Sequence, residues 1–141
     1  MISRNLRAAL GAAAILCAGA PAARAAGSYT ADPSSRLEFT GVQAGAEFKA
    51  VFRKFTAAIE FAPDAPASAH FDVTIDMSSV DSMDKDRDGT MRSGDMFDVA
   101  HFPNAHYVTK SAAKTAGGYS AVGSLTLHGV TRDVPIEFKF A

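Results

Sequence analysis

The chain has no tryptophan, a single cysteine and almost no net charge. Cys17 alone makes neither a disulfide framework nor a cysteine-rich zinc site. Its 14 basic residues are matched by 15 acidic ones, so the basic face of a general nucleic-acid binder is missing. No serine stands in a G-x-S-x-G elbow, no glycine-rich phosphate loop appears, and a catalytic role is not expected. The longest apolar run, Leu6 to Ala20, is shorter than the roughly 20 residues of a comfortable membrane span. What remains is 48% hydrophobic, with 10 phenylalanines, and 141 residues are room for one domain.

The amino terminus differs from the rest. Arg4 precedes the apolar run, Arg7 stands at its start, Pro21 ends it, and Ala23-Arg24-Ala25 follows. A basic start, a short apolar stretch and a small-x-small site have the form of a secretory signal peptide over residues 1–25. Cleavage after Ala25 removes Arg4, Arg7, Arg24 and Cys17 and leaves a thiol-free, more acidic chain, residues 26–141. Absence of a lone thiol suits an oxidising compartment, and the expected location is the periplasm.

Beyond the leader the pattern is period two. Leu37 and Phe39 share one face at period two, as do Phe48, Ala50 and Phe52, then Phe55, Ala57, Ile59 and Phe61. After the Pro63-to-Pro66 turn come Ala69, Phe71, Val73 and Ile75; later Val134, Ile136, Phe138 and Phe140 share a face. Such alternation belongs to half-buried antiparallel sheet. Gly27 to Ser35 reads as a polar lead-in. Ser78 to Asp98 loses the alternation and reads as a loop with a short helix near Asp86 to Arg92. Gly117-Gly118 and His128-Gly129 read as turns. About seven short strands with one helical break predict an all-β sandwich or barrel.

Several blocks then match a known family in order: Tyr29 to Phe39, Phe52 to Phe61, Phe71 to Val80, Arg92 to Pro103 and Gly123 to Phe138. Within them, Phe97-Asp98-Val99 before Phe102-Pro103, and Leu125-Thr126-Leu127 before Gly129-Val130-Thr131-Arg132, are the specific signatures. The chain resembles the YceI-like family of periplasmic polyisoprenoid-binding proteins. The resemblance implies a lipocalin-like antiparallel β-barrel with one short helix, a tunnel for a long-chain isoprenoid or acyl lipid, and no catalysis. It also implies a link to membrane b-type cytochromes, encoded with or fused to some relatives. The family pattern continues with further strands after the last matched block, whereas this sequence stops at Ala141. From that follows the expectation of an open edge along Val134 to Phe140, closed by a homodimer or a partner strand.

Apolar parity and the resemblance together nominate Phe39, Phe48, Phe52, Phe71, Val73, Met91, Met96, Phe97, Phe102 and Tyr107 as ligand-binding residues. Asp84, Asp86 and Asp88 before Gly89, with Asp95 at position twelve, carry the spacing of a calcium loop, and calcium binding is the alternative reading. Lys85, Arg87 and Arg92 dilute its field, and the favoured reading is a solvated helix entry capped by Asp86 or Asp88. These cations are either a head-group site at a tunnel mouth or an ordinary charged loop. The spacing of His70, His101, His106 and His128 predicts no metal site.

Overall fold

Alternating segments become strands with their large apolar residues on one face. A computed structural model describes residues 25–141; the leader reading falls almost wholly outside them. Nine strands run in the order β1 Gly27–Thr30, β2 Leu37–Gln43, β3 Ala46–Phe52, β4 Phe55–Phe61, β5 His70–Asp76, β6 Val80–Asp81, β7 Asn104–Thr115, β8 Gly118–Leu127 and β9 Val130–Phe138. Among the described residues one α-helix, α1, spans Lys85–Arg92. All pairings are antiparallel, in one sheet of order β1-β4-β5-β7-β8-β9 and a smaller one of order β2-β3-β6. This is the expected all-β, lipocalin-like architecture with one short helix.

Three details differ from the sequence reading. The polar lead-in contains β1, which pairs Tyr29 with Ile59 and borrows its order from β4. The stretch after Asp76 holds β6, two residues bonded to Val51 and Phe52 of β3. The last strand begins at Val130, four residues before its apolar alternation becomes visible, because Arg132 interrupts the pattern.

The inner faces pack into two clusters. Phe61, Phe71, Ala112 and Ala121 are buried at one end, with Tyr119, Ile136 and Phe138 against them. At the other, Ala50, Val80 and Met91 are buried beneath Phe39, Phe48, Phe52 and Phe97. Met91 projects from α1, so the helix fastens the small sheet.

The helix start is set by Asp84. Its carboxylate accepts the backbone N–H groups of Asp86 and Arg87, so the cap is neither Asp86 nor Asp88, as the sequence suggested. Asp88 is buried, and its carboxylate accepts the Ser82 backbone N–H at 2.8 Å and the Ser82 hydroxyl at 2.7 Å. Asp84 and Asp88 therefore hold the helix, and the calcium-like spacing is used as helix rather than as a chelating loop. Asp88→Ala is expected to cost about 1–3 kcal/mol, because it strands two buried donors; Asp88→Asn, which keeps an acceptor, costs less. Urea denaturation of both variants checks the order.

Hydrogen bonds donated by the Ser78 hydroxyl to Asp76, by the Met83 N–H to Asp81 and by the Arg87 N–H to Asp84 hold these three carboxyls below the usual carboxylate range. A carboxyl whose pKa is lower when folded stabilises the fold above its unfolded pKa, and that contribution disappears as pH falls through the folded value. Stability is thus expected to be flat above about pH 5 and to decline below about pH 4. Denaturation midpoints measured across that range test the sign.

Candidate functional site

Between the two clusters the inner face of the large sheet carries a cross-strand row. Val73 pairs with Tyr107, Tyr107 with Leu125, and Leu125 with Arg132. Tyr107 is buried, which pushes its phenol pKa up, and its hydroxyl donates to the Val134 carbonyl at 3.2 Å. The ring lies over Gly123, where a Cβ would collide with it and with the Val108 carbonyl. A glycine there lets the aromatic ring lie flat against β8.

The β8–β9 hairpin and the loop after α1 flank an open cleft of about 480 Å3. Leu125 and Leu127 line it from β8, and Val130 and Val134 from β9. Met96 and Phe97 form the facing wall. Asp95, His128 and Arg132 are its polar residues. Two other clefts, of about 540 and 500 Å3, are lined by charged residues, among them Asp32, Arg53 and Asp76 in one and Glu38, Lys49 and Asp81 in the other. Their linings suit solvent or polar partners, so the smaller, more apolar cavity is the candidate site.

Next to it, the loop after α1 approaches the β8–β9 turn. The Asp98 carboxylate bonds to His101 Nδ1 at 2.9 Å and lies 4.0 Å from His128 Nε2 in the β8–β9 turn. The Phe102 ring packs edge-on to His128, with centroids 5.0 Å apart. Gly129, with φ +70°, completes that turn, and a Cβ there would strike the Phe102 ring. Asp98 thereby joins two of the histidines, but among the described residues no group of three His, Cys, Asp or Glu side chains is placed to hold a metal.

The nominated residues fall in three places. Met96 and Phe97 line the cavity. Phe39, Phe48 and Phe52 pack with Phe97 and Met91 in the cluster under α1; Phe39 stacks on Phe52 at 5.3 Å. Val73 and Tyr107 lie on the row that leads to the cavity, Phe71 belongs to the far cluster, and Phe102 packs against His128. Leu125, Leu127, Val130, Arg132 and Val134 were not nominated. Strand parity marks Val134 as inward, but no sequence signal separates an inward residue beside a gap from one in a packed cluster.

Two of the basic residues near α1 are occupied. Arg92 donates to the carbonyls of Ser78 and Val80. Arg87 bonds Gln43 at 2.8 Å and lies over the Phe48 ring, 4.5 Å from its centroid. These two hold structure rather than wait for a head group.

Comparison with known proteins places this geometry in context. Residues 29–141 match the model of the YceI-like domain. A UPF0312 protein of Yersinia enterocolitica is 38% identical over 88 residues, which cover 62% of this chain and 46% of the relative. The chain thus spans about half the length of the curated relatives it matches. The solved structure of BcnA from Burkholderia cenocepacia is similar at a TM-score of 0.66 and 29% identity, covering 71% of this chain and 64% of BcnA. A polyisoprenoid binding domain from Saccharophagus degradans shares the fold at a TM-score of 0.50 and 19% identity, over 79% of this chain and 62% of that domain.

Proposed function

The chain belongs to the YceI-like domain family, and on that premise we propose that it binds a long-chain apolar lipid in the cavity between β8–β9 and the loop after α1. The observation that carries the reading is the cavity's lining: aliphatic side chains on one wall, Met96 and Phe97 on the other. Burial of each methylene gains about 0.8 kcal/mol, so a long chain needs few polar contacts. Methionine and phenylalanine suit such a wall because neither imposes a rigid shape on the occupant. The polyisoprenoid binding domain of S. degradans has the same fold, which supports an isoprenoid chain as the occupant; the proposed class is an isoprenoid quinone, a polyprenyl chain or a fatty-acyl chain. The role is that of a carrier and not an enzyme.

The proposed setting is the periplasm, reached through the leader of residues 1–25, with a membrane b-type cytochrome as a partner that would receive or supply a quinone. Among the described residues β9 pairs on one side only, with β8, which supports pairing with a second copy or a partner strand. Light scattering of residues 26–141 tests that pairing, and a monomer at every concentration overturns it. The lipid reading is tested by displacement of a bound fluorescent fatty acid. Saturable displacement by a polyprenol, a quinone or an unlabelled fatty acid is expected; no uptake of the probe would overturn it.

A further inference from the structure

We propose that Arg132 selects the ligand's head group, and that the preferred lipid carries a carboxylate or phosphate at one end of its apolar chain. This deepens the lipid-binding reading and rests on it. The first observation is position. Val130, Val134, Ile136 and Phe138 follow one parity on β9, and Arg132 takes the same parity where a further apolar residue would complete the face. Its register partner is Leu125, so it ends the row Val73–Tyr107–Leu125 and lines the cavity.

The second observation is what the other arginines do. Arg36 pairs with Glu38 and Arg53 with Asp81. Arg87 pairs with Asp84 and Gln43, and Arg92 with two backbone carbonyls. Among the described residues Arg132 forms no ion pair and no side-chain hydrogen bond. A guanidinium carries five donors in a planar fork that matches carboxylate or phosphate oxygens. Here that fork stands at the rim of an apolar wall.

The other polar groups at the cavity are compatible. His128 adds donor capacity at the turn and is already near Asp98. Asp95 is exposed to water and lies beyond ion-pair distance of Arg132, so solvent screens it. An amphiphile would therefore lie with its tail along Leu125 and Val134 and its anionic end on the guanidinium.

The test is calorimetric titration with oleate, oleyl alcohol and inorganic phosphate, oleate kept below its micelle concentration and the alcohol below its solubility limit. Wild type is expected to bind oleate about tenfold more tightly than the alcohol, the increment of a charge-assisted hydrogen bond. Arg132→Gln should bring oleate down toward the alcohol's affinity and change the alcohol's far less, because a neutral hydroxyl gains no charge-assisted bond from the guanidinium. Arg132→Lys should retain part of the preference, and Arg36→Gln all of it. Equal affinities in wild type, or a preference that survives Arg132→Gln, would overturn the assignment while alcohol binding still upholds the lipid site. Phosphate alone binding as tightly as oleate would make this a free-anion site and overturn the amphiphile. Binding of neither lipid would overturn the lipid reading and this inference with it.

Discussion

Phe61→Ala is expected to remove about 3–5 kcal/mol of folding free energy, the range for truncating a fully buried phenylalanine. Phe61 is 1% exposed. Its ring meets Tyr119 at 4.9 Å and Phe138 at 5.2 Å, both edge-on, and Phe71 at 6.4 Å. These partners come from β5, β8 and β9, so one truncation opens a cavity shared by four strands of the large sheet. Its neighbours cannot all move inward without breaking ladder register, which is why the upper part of the range applies. Phe140→Ala is the control. That ring also touches Phe61, at 5.2 Å, but is 41% exposed. Its truncation should cost less than about 1 kcal/mol. Urea midpoints at constant m-value give both numbers, and equal losses at the two positions would show that the Phe61 cluster is not the core of the sheet.

Val134→Glu is expected to weaken lipid binding about a hundredfold, because an ionised carboxylate in an apolar wall must be either desolvated or left in water where the chain should lie. Val134 is half-buried and lines the cavity, so the free protein can keep the new charge hydrated and stay folded. Ser124→Glu places the same charge on the outer face, where Ser124 pairs with Asp133. It should leave lipid affinity within about twofold, being a solvated surface charge. Probe displacement by each variant, with thermal melts alongside, separates loss of the site from loss of the fold. A similar loss from Ser124→Glu would place the lipid elsewhere.

Much of the fold was legible because period two is dictated by the pleat. Phe55, Ala57, Ile59 and Phe61 face inward together, and Phe71 and Val73 oppose Ile59 and Ala57 as their alternation implied. The two-residue β6 carries no period at all, and β1 takes its order from its partner strand, so neither shows in sequence. The start of β9 was hidden by Arg132, the residue that breaks the apolar pattern without breaking the strand.

The site was less legible than the fold. Ten inward or nearby apolar residues could be named, but whether each meets a neighbour or a gap depends on how α1 and its following loop sit. Met91 fills the space under Phe39 and Phe52, whereas the loop holds Met96 and Phe97 across from Leu125 and Val134 and leaves room between. The helix cap shows the same limit. Acids at alternate positions all look alike until the backbone bends, and only Asp84 precedes the first turn.

Whether the protein holds a lipid is decided by native mass spectrometry of residues 26–141 mixed with a polyprenol, a quinone and a fatty acid. A one-to-one complex with at least one of them is expected, reduced to the ligand-free mass by Val134→Glu and retained by Ser124→Glu. A ligand-free mass for the wild-type protein in every mixture would contradict it.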